Sequence, residues 1–269
     1  MERASLVLED LKGLAQEFND YLKLTTFSVA VKLIQDPQTL SEVHSEGKPV
    51  RQVQKQLAVC QILAQARYVG RVIAGTCQTL NLCRPGAHAF GFEKFSIEEI
   101  ARPYIGSYAL NREIAIRGTE GIPRLEFGKY KALLAAPLDK IPVLPDVVLF
   151  YGNTAQMMRL IHGYNYERME RLTFTTNGEA GGCSDPVITP LLTRKPSLAF
   201  PCNGARILSW PSDDEAVMGI PLECLMTTLR GLQATHRGGI RYPIAWQHID
   251  WEPQPPVLYF LRPDRKPPK

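Results

Sequence analysis

Apolar residues recur along the chain with two periods, one typical of amphipathic helices and the other typical of strands. Helical spacing predicts helices over 11–22, 52–68, 96–102, 154–163 and 222–232. Alternating or unbroken apolar runs predict strands over 25–34, 71–80, 129–137, 146–151, 173–176, 197–200, 206–210 and 217–220. The Asn203-Gly204 pair predicts that 197–200 and 206–210 form a hairpin around Cys202.

The most apolar of these strands sets the expected fold class. Val147 to Phe150 is wholly apolar, which predicts a central strand covered on both faces. A polar break at Gly152-Asn153-Thr154 and a helix follow it, as in half of a βαβ unit. We therefore expect an α/β or α+β fold with a central mixed sheet flanked by helices, and with Lys131 to Pro137 in the same sheet.

The order of elements predicts one body over residues 1–237. A faint repetition of strand, helix, strand and cysteine-bearing loop predicts two similar halves, at about 25–125 and 126–237. Residues 238–269 are rich in proline and aromatic residues, and we expect them to form a C-terminal extension that packs over the body or a partner.

Composition narrows the class of protein without naming a reaction. Of the 269 residues, 45% are hydrophobic and 22% are charged, which is typical of an ordinary globular protein. The net charge of +4 is too small and too scattered to favour nucleic-acid binding. Apolar stretches are shorter than the ~20 residues of a membrane helix, and no targeting segment precedes residue 10. We expect a cytoplasmic protein whose six cysteines are not in disulfides.

A series of short motifs resembles one family over about residues 27 to 232. The motifs are Val29-Ala-Val-Lys32, Cys60-Gln-Ile-Leu-Ala-Gln-Ala-Arg67, Cys83-Arg-Pro-Gly-Ala87, Gly128-Lys-Tyr-Lys131, Pro145-Asp-Val-Val-Leu-Phe-Tyr-Gly-Asn153, Gln156-Met-Met-Arg159, Cys183-Ser-Asp185, Pro201-Cys-Asn-Gly-Ala-Arg206, Asp213-Asp-Glu215 and Gly219-Ile-Pro221. Taken in order, they resemble the domain of unknown function 169 family, also called ArCR, for archaeal conserved region. The resemblance implies a cytoplasmic, often anaerobic setting and a recurring set of cysteines, but no settled activity. The proline-rich residues after Gly238 depart from the usual shorter pattern.

Cys60, Cys83, Cys183 and Cys202 lie on these family-like motifs, and three of them fall in predicted turns. Four thiolates suit an iron–sulfur cluster, with tetrahedral zinc as the alternative. The chain has no Cys-x-x-Cys, so such a site has to be assembled from distant segments. These cysteines can equally be small packed side chains, a description that fits Cys60 and Cys224 best, and Cys77 can replace Cys83.

Other residues are candidates for catalysis or for binding a ligand. Cys183 follows two glycines and precedes a helix start, a setting that favours a thiolate nucleophile, although Glu179 and Asp185 oppose it. Arg206 is a candidate clamp for a carboxylate or phosphate.

Two further pairs complete the predicted site. Asp214 and Glu215 are candidates for proton transfer, or else they belong to a solvated acidic loop. Asn153 and Thr154 are candidates for cofactor binding at the carboxyl end of a strand, or else they cap a helix.

Together these residues predict an iron–sulfur redox or lyase-type enzyme that acts on a small anionic molecule. The alternatives are a non-catalytic ligand-binding or sensor protein and a zinc-binding protein. The expected partners are the small anionic substrate or ligand, a redox partner protein and a second copy of the chain, with neither nucleic acid nor membrane.

Overall fold

The computed structural model describes residues 7–176, 178–179 and 181–244. The strands are β1 (Val29–Ile34), β2 (His44–Ser45), β3 (Lys48–Pro49), β4 (Arg51–Gln52), β5 (Ile73–Thr76), β6 (Ala132–Pro137), β7 (Val147–Gly152), β8 (Ser197–Ala199) and β9 (Ala216–Pro221). The helices are α1 (Asp10–Leu22), α2 (Pro37–Glu42), α3 (Val59–Val69), α4 (Arg84–Ala89), α5 (Ile97–Ala101), α6 (Arg112–Glu120), α7 (Thr154–Asn165), α8 (Asp185–Thr193), α9 (Asn203–Ser209) and α10 (Leu222–Arg237), with a 3₁₀ turn at Arg102–Tyr104.

Seven strands form one mixed sheet in the order β4-β5-β6-β1-β7-β9-β8, and β2 and β3 pair separately. Within the seven-stranded sheet β4 and β5 are parallel, and the other neighbouring strands are antiparallel. The predicted central mixed sheet containing β6 and β7 is therefore confirmed. The predicted βαβ unit at β7 is wrong, because both neighbours of β7 run antiparallel to it.

The sheet separates two apolar layers, and the alternation of side chains along β7 shows why. Val147, Leu149 and Tyr151 face one layer, which also contains side chains from α3, α8 and α9. Val148 and Phe150 face the other layer, with side chains from α1, α7 and α10. Because both faces are covered, all six residues of β7 are buried, as the unbroken apolar run predicts.

Capping residues predicted the start of α5 and the end of α3 correctly, but the predicted start of α3 is wrong. Helix α5 starts with a capping box in which Ser96 and Glu99 each accept a hydrogen bond from the other's backbone N–H. Helix α3 ends at Gly70, whose left-handed φ of 69° suits glycine. Helix α3 itself starts at Val59 and not at residue 52, because Arg51 and Gln52 pair with β5 at the sheet edge.

Two predicted strands are wrong. Residues 173–176 form no strand in the structure. Residues 206–209 belong to helix α9, so the predicted hairpin around Cys202 does not form. Strand β8 pairs with β9 instead. Its partner is therefore not the segment directly after the Asn-Gly pair but the next strand along the chain.

The domain predictions extend past the described residues. Two similar halves are not confirmed, since the element order of 25–125 is not repeated in 126–237. Of the predicted extension, residues 245–269 lie outside the described residues. Among the helices that are described, none combines the length and the apolarity needed to cross a membrane.

Candidate functional site

Four cysteines from four separate segments meet on the α3 side of the sheet. Cys60 is the second residue of α3, Cys83 directly precedes α4, Cys183 lies just before α8 and Cys202 directly precedes α9. All four belong to the apolar layer on this side of the sheet. We call them the four-cysteine centre.

The backbone explains why two of these cysteines are held in place. The carbonyl oxygen of Cys83 accepts the first helical hydrogen bond of α4, from the N–H of Ala87 at 2.9 Å. The carbonyl of Cys202 accepts the corresponding bond of α9, from the N–H of Arg206 at 3.0 Å. Both cysteines have extended φ and ψ angles, so each is the residue at which the chain turns into its helix.

Each thiol of the centre interacts electrostatically with the other three. Burial raises the pKa of Cys60 to about 12, and charges on Cys83 and Cys202 act in the same direction. Burial also raises the pKa of Cys183 well above its usual value, and charges on Cys60, Cys83, Cys202 and Asp185 add to this effect. The four thiols are thus neighbours, and this proximity helps to keep Cys60 and Cys183 protonated.

The pKa of Cys83 shifts in the same direction as that of its neighbours. Burial raises it, Cys202 and Glu179 add to the effect, and the backbone N–H of Gly86 opposes it. The sequence favours a nucleophilic thiolate at Cys183 through the following helix start, but the raised pKa of Cys183 means that the fold favours its protonated thiol.

Glycine leaves room beside the sulfurs. A Cβ at Gly86 would stand 3.6 Å from the Sγ of Cys83 and 3.8 Å from the Sγ of Cys183. A Cβ at Gly204 would stand 3.9 Å from the Sγ of Cys202. At Gly182 it would come within 2.9 Å of the backbone nitrogen of Cys202, so the segments bearing Cys183 and Cys202 are in direct contact.

The two remaining cysteines take no part in the electrostatic interactions that the described residues record among these four thiols. Cys77 packs against the same apolar layer, and its backbone N–H donates to Lys131. Cys224 is buried in the layer on the opposite face of the sheet. None of the six cysteines, all of which lie among the described residues, forms a disulfide. Within residues 7–176, 178–179 and 181–244, no group of three or more His, Cys, Asp or Glu side chains is arranged to hold a metal ion.

A cavity of about 350 Å³ lies beside the four-cysteine centre. Tyr104, Tyr108 and Glu179 contribute to its wall, and we call it the Tyr104 cavity. Burial raises the pKa of Tyr104, and charges on Cys83, Glu179 and Cys202 raise it further. Tyr104 therefore belongs to the cavity wall and is also close to the thiols of the centre.

On another side of the centre, Arg67 forms a buried ion pair with Glu215. The Nε of Arg67 donates to the hydroxyl of Thr26 at 2.9 Å, and the guanidinium carbon lies 4.1 Å from the ring centroid of Tyr151. Burial raises the pKa of Tyr151, and charges on Cys183 and Cys60 act in the same direction. The Arg67–Glu215 pair thus abuts the centre through Tyr151.

The acidic loop predicted from sequence divides into three different settings. Glu215 is buried, and its second carboxylate oxygen accepts the backbone N–H of Ser212 at 2.8 Å, so both oxygens are engaged. Asp213 is fully exposed and pairs with Arg206 at 2.6 Å. Asp214 is exposed. Among the described residues, neither Arg206 nor Asp214 is recorded as interacting electrostatically with the thiols. The roles proposed for these two residues stay predictions.

The other predicted binding residues start helix α7. The side-chain oxygen of Asn153 accepts the backbone N–H of Gln156 at 3.0 Å, and its nitrogen donates to the hydroxyl of Tyr242. Thr154 is the first residue of the helix. Gln156 and Arg159 in the following motif reach backbone carbonyls of α1 and α10, respectively, so this motif ties helices together.

Sequence reasoning missed Tyr104 as a member of the site. It considered Asp185 only as a helix cap and as a charge that opposes a thiolate at Cys183. Asp185 does add to the raised pKa of Cys183. Its own side chain is 6% exposed, and burial raises its pKa to about 6, with Ser184 opposing the shift. Its position two residues after Cys183 was visible, whereas its burial depends on the packing of α8. No pattern around Tyr104 indicated that it would face the thiols.

Comparisons with known proteins agree with the family-like motifs. The model of the family described as uncharacterised ArCR, domain of unknown function 169, matches residues 17–231. An uncharacterised protein of Methanocaldococcus jannaschii is 24% identical over 230 residues, which cover 84% of this chain and 95% of that relative. No solved structure matches the chain. Since the family model spans most of its length, the chain belongs to the ArCR family, domain of unknown function 169.

Proposed function

We propose that the chain is an iron–sulfur redox protein whose cluster is held by Cys60, Cys83, Cys183 and Cys202. The observation that carries this proposal is the mutual proximity of the four thiols, each of which interacts electrostatically with the other three. Four cysteine thiolates are the usual ligand set of a [4Fe–4S] cluster.

A four-iron cluster and a single zinc ion place different demands on the four sulfurs. Zinc draws four sulfurs to about 2.3 Å from one point, which puts them in contact with one another. A four-iron cluster places a cube of iron and sulfide between its ligands and therefore suits sulfurs that surround an open space. We favour the cluster because the residue in contact distance of the sulfurs of both Cys83 and Cys183 is Gly86, which has no side chain to occupy the site.

The electrostatics of the thiols supports a metal occupant, whether an iron–sulfur cluster or a zinc ion. The thiols of Cys60, Cys83 and Cys183 gain little from ionising on their own, because burial and the neighbouring thiols raise their pKa values. Iron compensates the charge of the thiolates, so assembly releases protons and stabilises the folded chain.

The number of ligands favours electron transfer over lyase chemistry. A cluster with all four irons bound by cysteine has no open iron to bind a substrate, whereas a lyase needs one. The protein then passes electrons between a redox partner protein and a small molecule, and the Tyr104 cavity is the route by which that molecule approaches.

Anaerobic reconstitution with iron and sulfide tests this proposal. We expect about four iron and four sulfide per chain, with visible absorbance that dithionite bleaches reversibly. Serine replacements of Cys60, Cys83, Cys183 or Cys202, made one at a time, should lose most of this iron. Cys77→Ser and Cys224→Ser are the matched controls and should retain it.

Two results would count against the proposal. Stoichiometric zinc with no uptake of iron would favour the zinc alternative. Equal iron content in the controls and in the four centre variants would remove these cysteines as ligands and favour a ligand-binding protein without a cluster.

A further inference from the structure

A second cavity, of about 370 Å³, lies along the far end of helix α4. Its wall includes His88, Lys94, Phe95, Arg124 and Phe127, and we call it the His88 cavity. Nothing in the proposed redox function uses it.

Both ring nitrogens of His88 face hydrogen-bond donors. The backbone N–H of Phe95 points at Nδ1 from 3.4 Å, and a guanidinium nitrogen of Arg124 lies 3.3 Å from Nε2. Both of these partners are donors, and an arginine nitrogen cannot accept. A neutral imidazole has one N–H and one acceptor, so in either tautomer one ring N–H faces another donor.

The imidazole cannot resolve this conflict by changing its protonation. Burial and the charge of Arg124 lower the pKa of His88, so the ring is neutral at pH 7. Protonation would only add a second donor. An acceptor oxygen placed between Nε2 and the guanidinium would satisfy both donors at once.

The charge and the apolar surface of the cavity indicate which kind of ligand carries that acceptor oxygen. Lys94 and Arg124 are cations against one carboxylate, Glu93, so the wall is positive overall. Phe95 and the exposed Phe127 supply apolar surface beside these cations. The guanidinium carbon of Arg84 adds a further positive charge 5.6 Å from the centroid of Phe95.

We propose that the His88 cavity binds a small molecule that carries a carboxylate or phosphate group on an apolar body. One oxygen of this group accepts from both the Nε2–H of His88 and the guanidinium of Arg124. The apolar body lies against Phe95 and Phe127. Selection of an anion at this cavity does not depend on the four-cysteine centre.

Calorimetric titration with defined probes tests the proposal. Benzoate and phenyl phosphate distinguish the two kinds of oxyanion, and benzamide and benzylamine are neutral and cationic probes of similar shape. We expect at least one of the anions to bind, and both benzamide and benzylamine to bind at least about tenfold more weakly, because they lack the charge-assisted hydrogen bonds.

Variants locate the binding site. Arg124→Gln and His88→Leu should each weaken binding of the anion about tenfold or more. Arg51→Gln removes the same charge from an exposed position on β4 and should leave binding unchanged. The proposal is overturned if neither anion binds, if benzylamine binds as well as the anions, or if Arg124→Gln binds like the unmodified chain.

Iron analysis separates this result from the proposed redox function. Arg124→Gln should take up as much iron as the unmodified chain, and Cys183→Ser should bind the anion with unchanged affinity. Loss of both properties in either variant would indicate misfolding, which circular dichroism and thermal unfolding of the same samples detect. In that case Lys94→Gln is the second test of anion binding. We expect it to bind the anion more weakly, and an unchanged affinity would contradict the proposal.

Discussion

Arg67 is the clearest case of a residue whose neighbours define its role. Its side chain is 3% exposed, and the side chain of its partner Glu215 is 8% exposed. The guanidinium also stacks near Tyr68 and Tyr151, at 4.5 Å and 4.1 Å from the ring centroids. A buried charge held in this way is costly to leave without its counter-ion.

Glu215→Gln should therefore destabilise the fold by about 3–5 kcal/mol, because it leaves the buried Arg67 without a compensating charge. Glutamine also has one acceptor oxygen where the carboxylate offers two, to Arg67 and to Ser212. Urea unfolding of the metal-free chain measures the change.

Asp213→Asn is the control for this prediction. It removes an ion pair with Arg206 in which the aspartate is fully exposed, and the unfolding midpoint should barely move. Similar losses in the two variants would contradict the account of the buried pair.

At the scale of helices, the layer opposite the four-cysteine centre depends on close backbone contact between α7 and α10. A Cβ at Gly231 of α10 would overlap the carbonyl group of Gly163 in α7, and a Cβ at Gly163 would stand 2.8 Å from Leu232. Glycine is used here for close approach, although it lowers helix propensity.

Gly231→Ala should destabilise the fold by about 1–3 kcal/mol, because α10 has to move away from α7. Gly13→Ala is the matched control, since Gly13 also lies inside a helix but a Cβ there would meet nothing within 4 Å. It should stabilise the fold by about 0.5–1 kcal/mol through helix propensity. Thermal unfolding compares the two, and a stabilising Gly231→Ala would contradict the close contact.

For the molecule as a whole, the four-cysteine centre makes the stability of the metal-free chain depend on pH. The pKa of Cys60 is raised from 9.0 to about 12 in the folded state, and those of Cys83 and Cys183 are raised as well. An unfolded chain loses these protons first, so their contribution to stability is complete below pH 9 and is lost as the pH rises towards 12.

The metal-free chain should therefore become less stable between pH 9 and about pH 12, at up to about 1.4 kcal/mol per pH unit for each such thiol. Cys60→Ala removes one of these thiols, so its stability should fall less steeply over the same interval. Denaturant unfolding at a series of pH values, with a reductant and a chelator present, measures both slopes. Equal slopes would show that Cys60 does not keep its proton in the folded state.

Periodicity identified individual elements because it reflects which side of an element is apolar. The repeat of Leu11, Leu14, Phe18 and Leu22 is the buried side of α1, and the unbroken run in β7 marks a strand covered on both faces. The same logic failed at Asn203-Gly204, where a turn signal was outweighed by the pairing of β8 with β9. It also missed α4, which follows Cys83, because a six-residue helix carries little period.

The sequence by itself determined the strands β6 and β7, the amphipathic helices, the membership of the family and the four cysteines worth following, since these depend on local pattern or on motifs. Only the tertiary structure decided that β7 pairs antiparallel, that Glu215 serves Arg67, and that Cys60, Cys83, Cys183 and Cys202 share one neighbourhood. The reason is physical: strand order and the meeting of distant side chains follow from how helices cover the two faces of the sheet, and no short stretch of sequence contains that information.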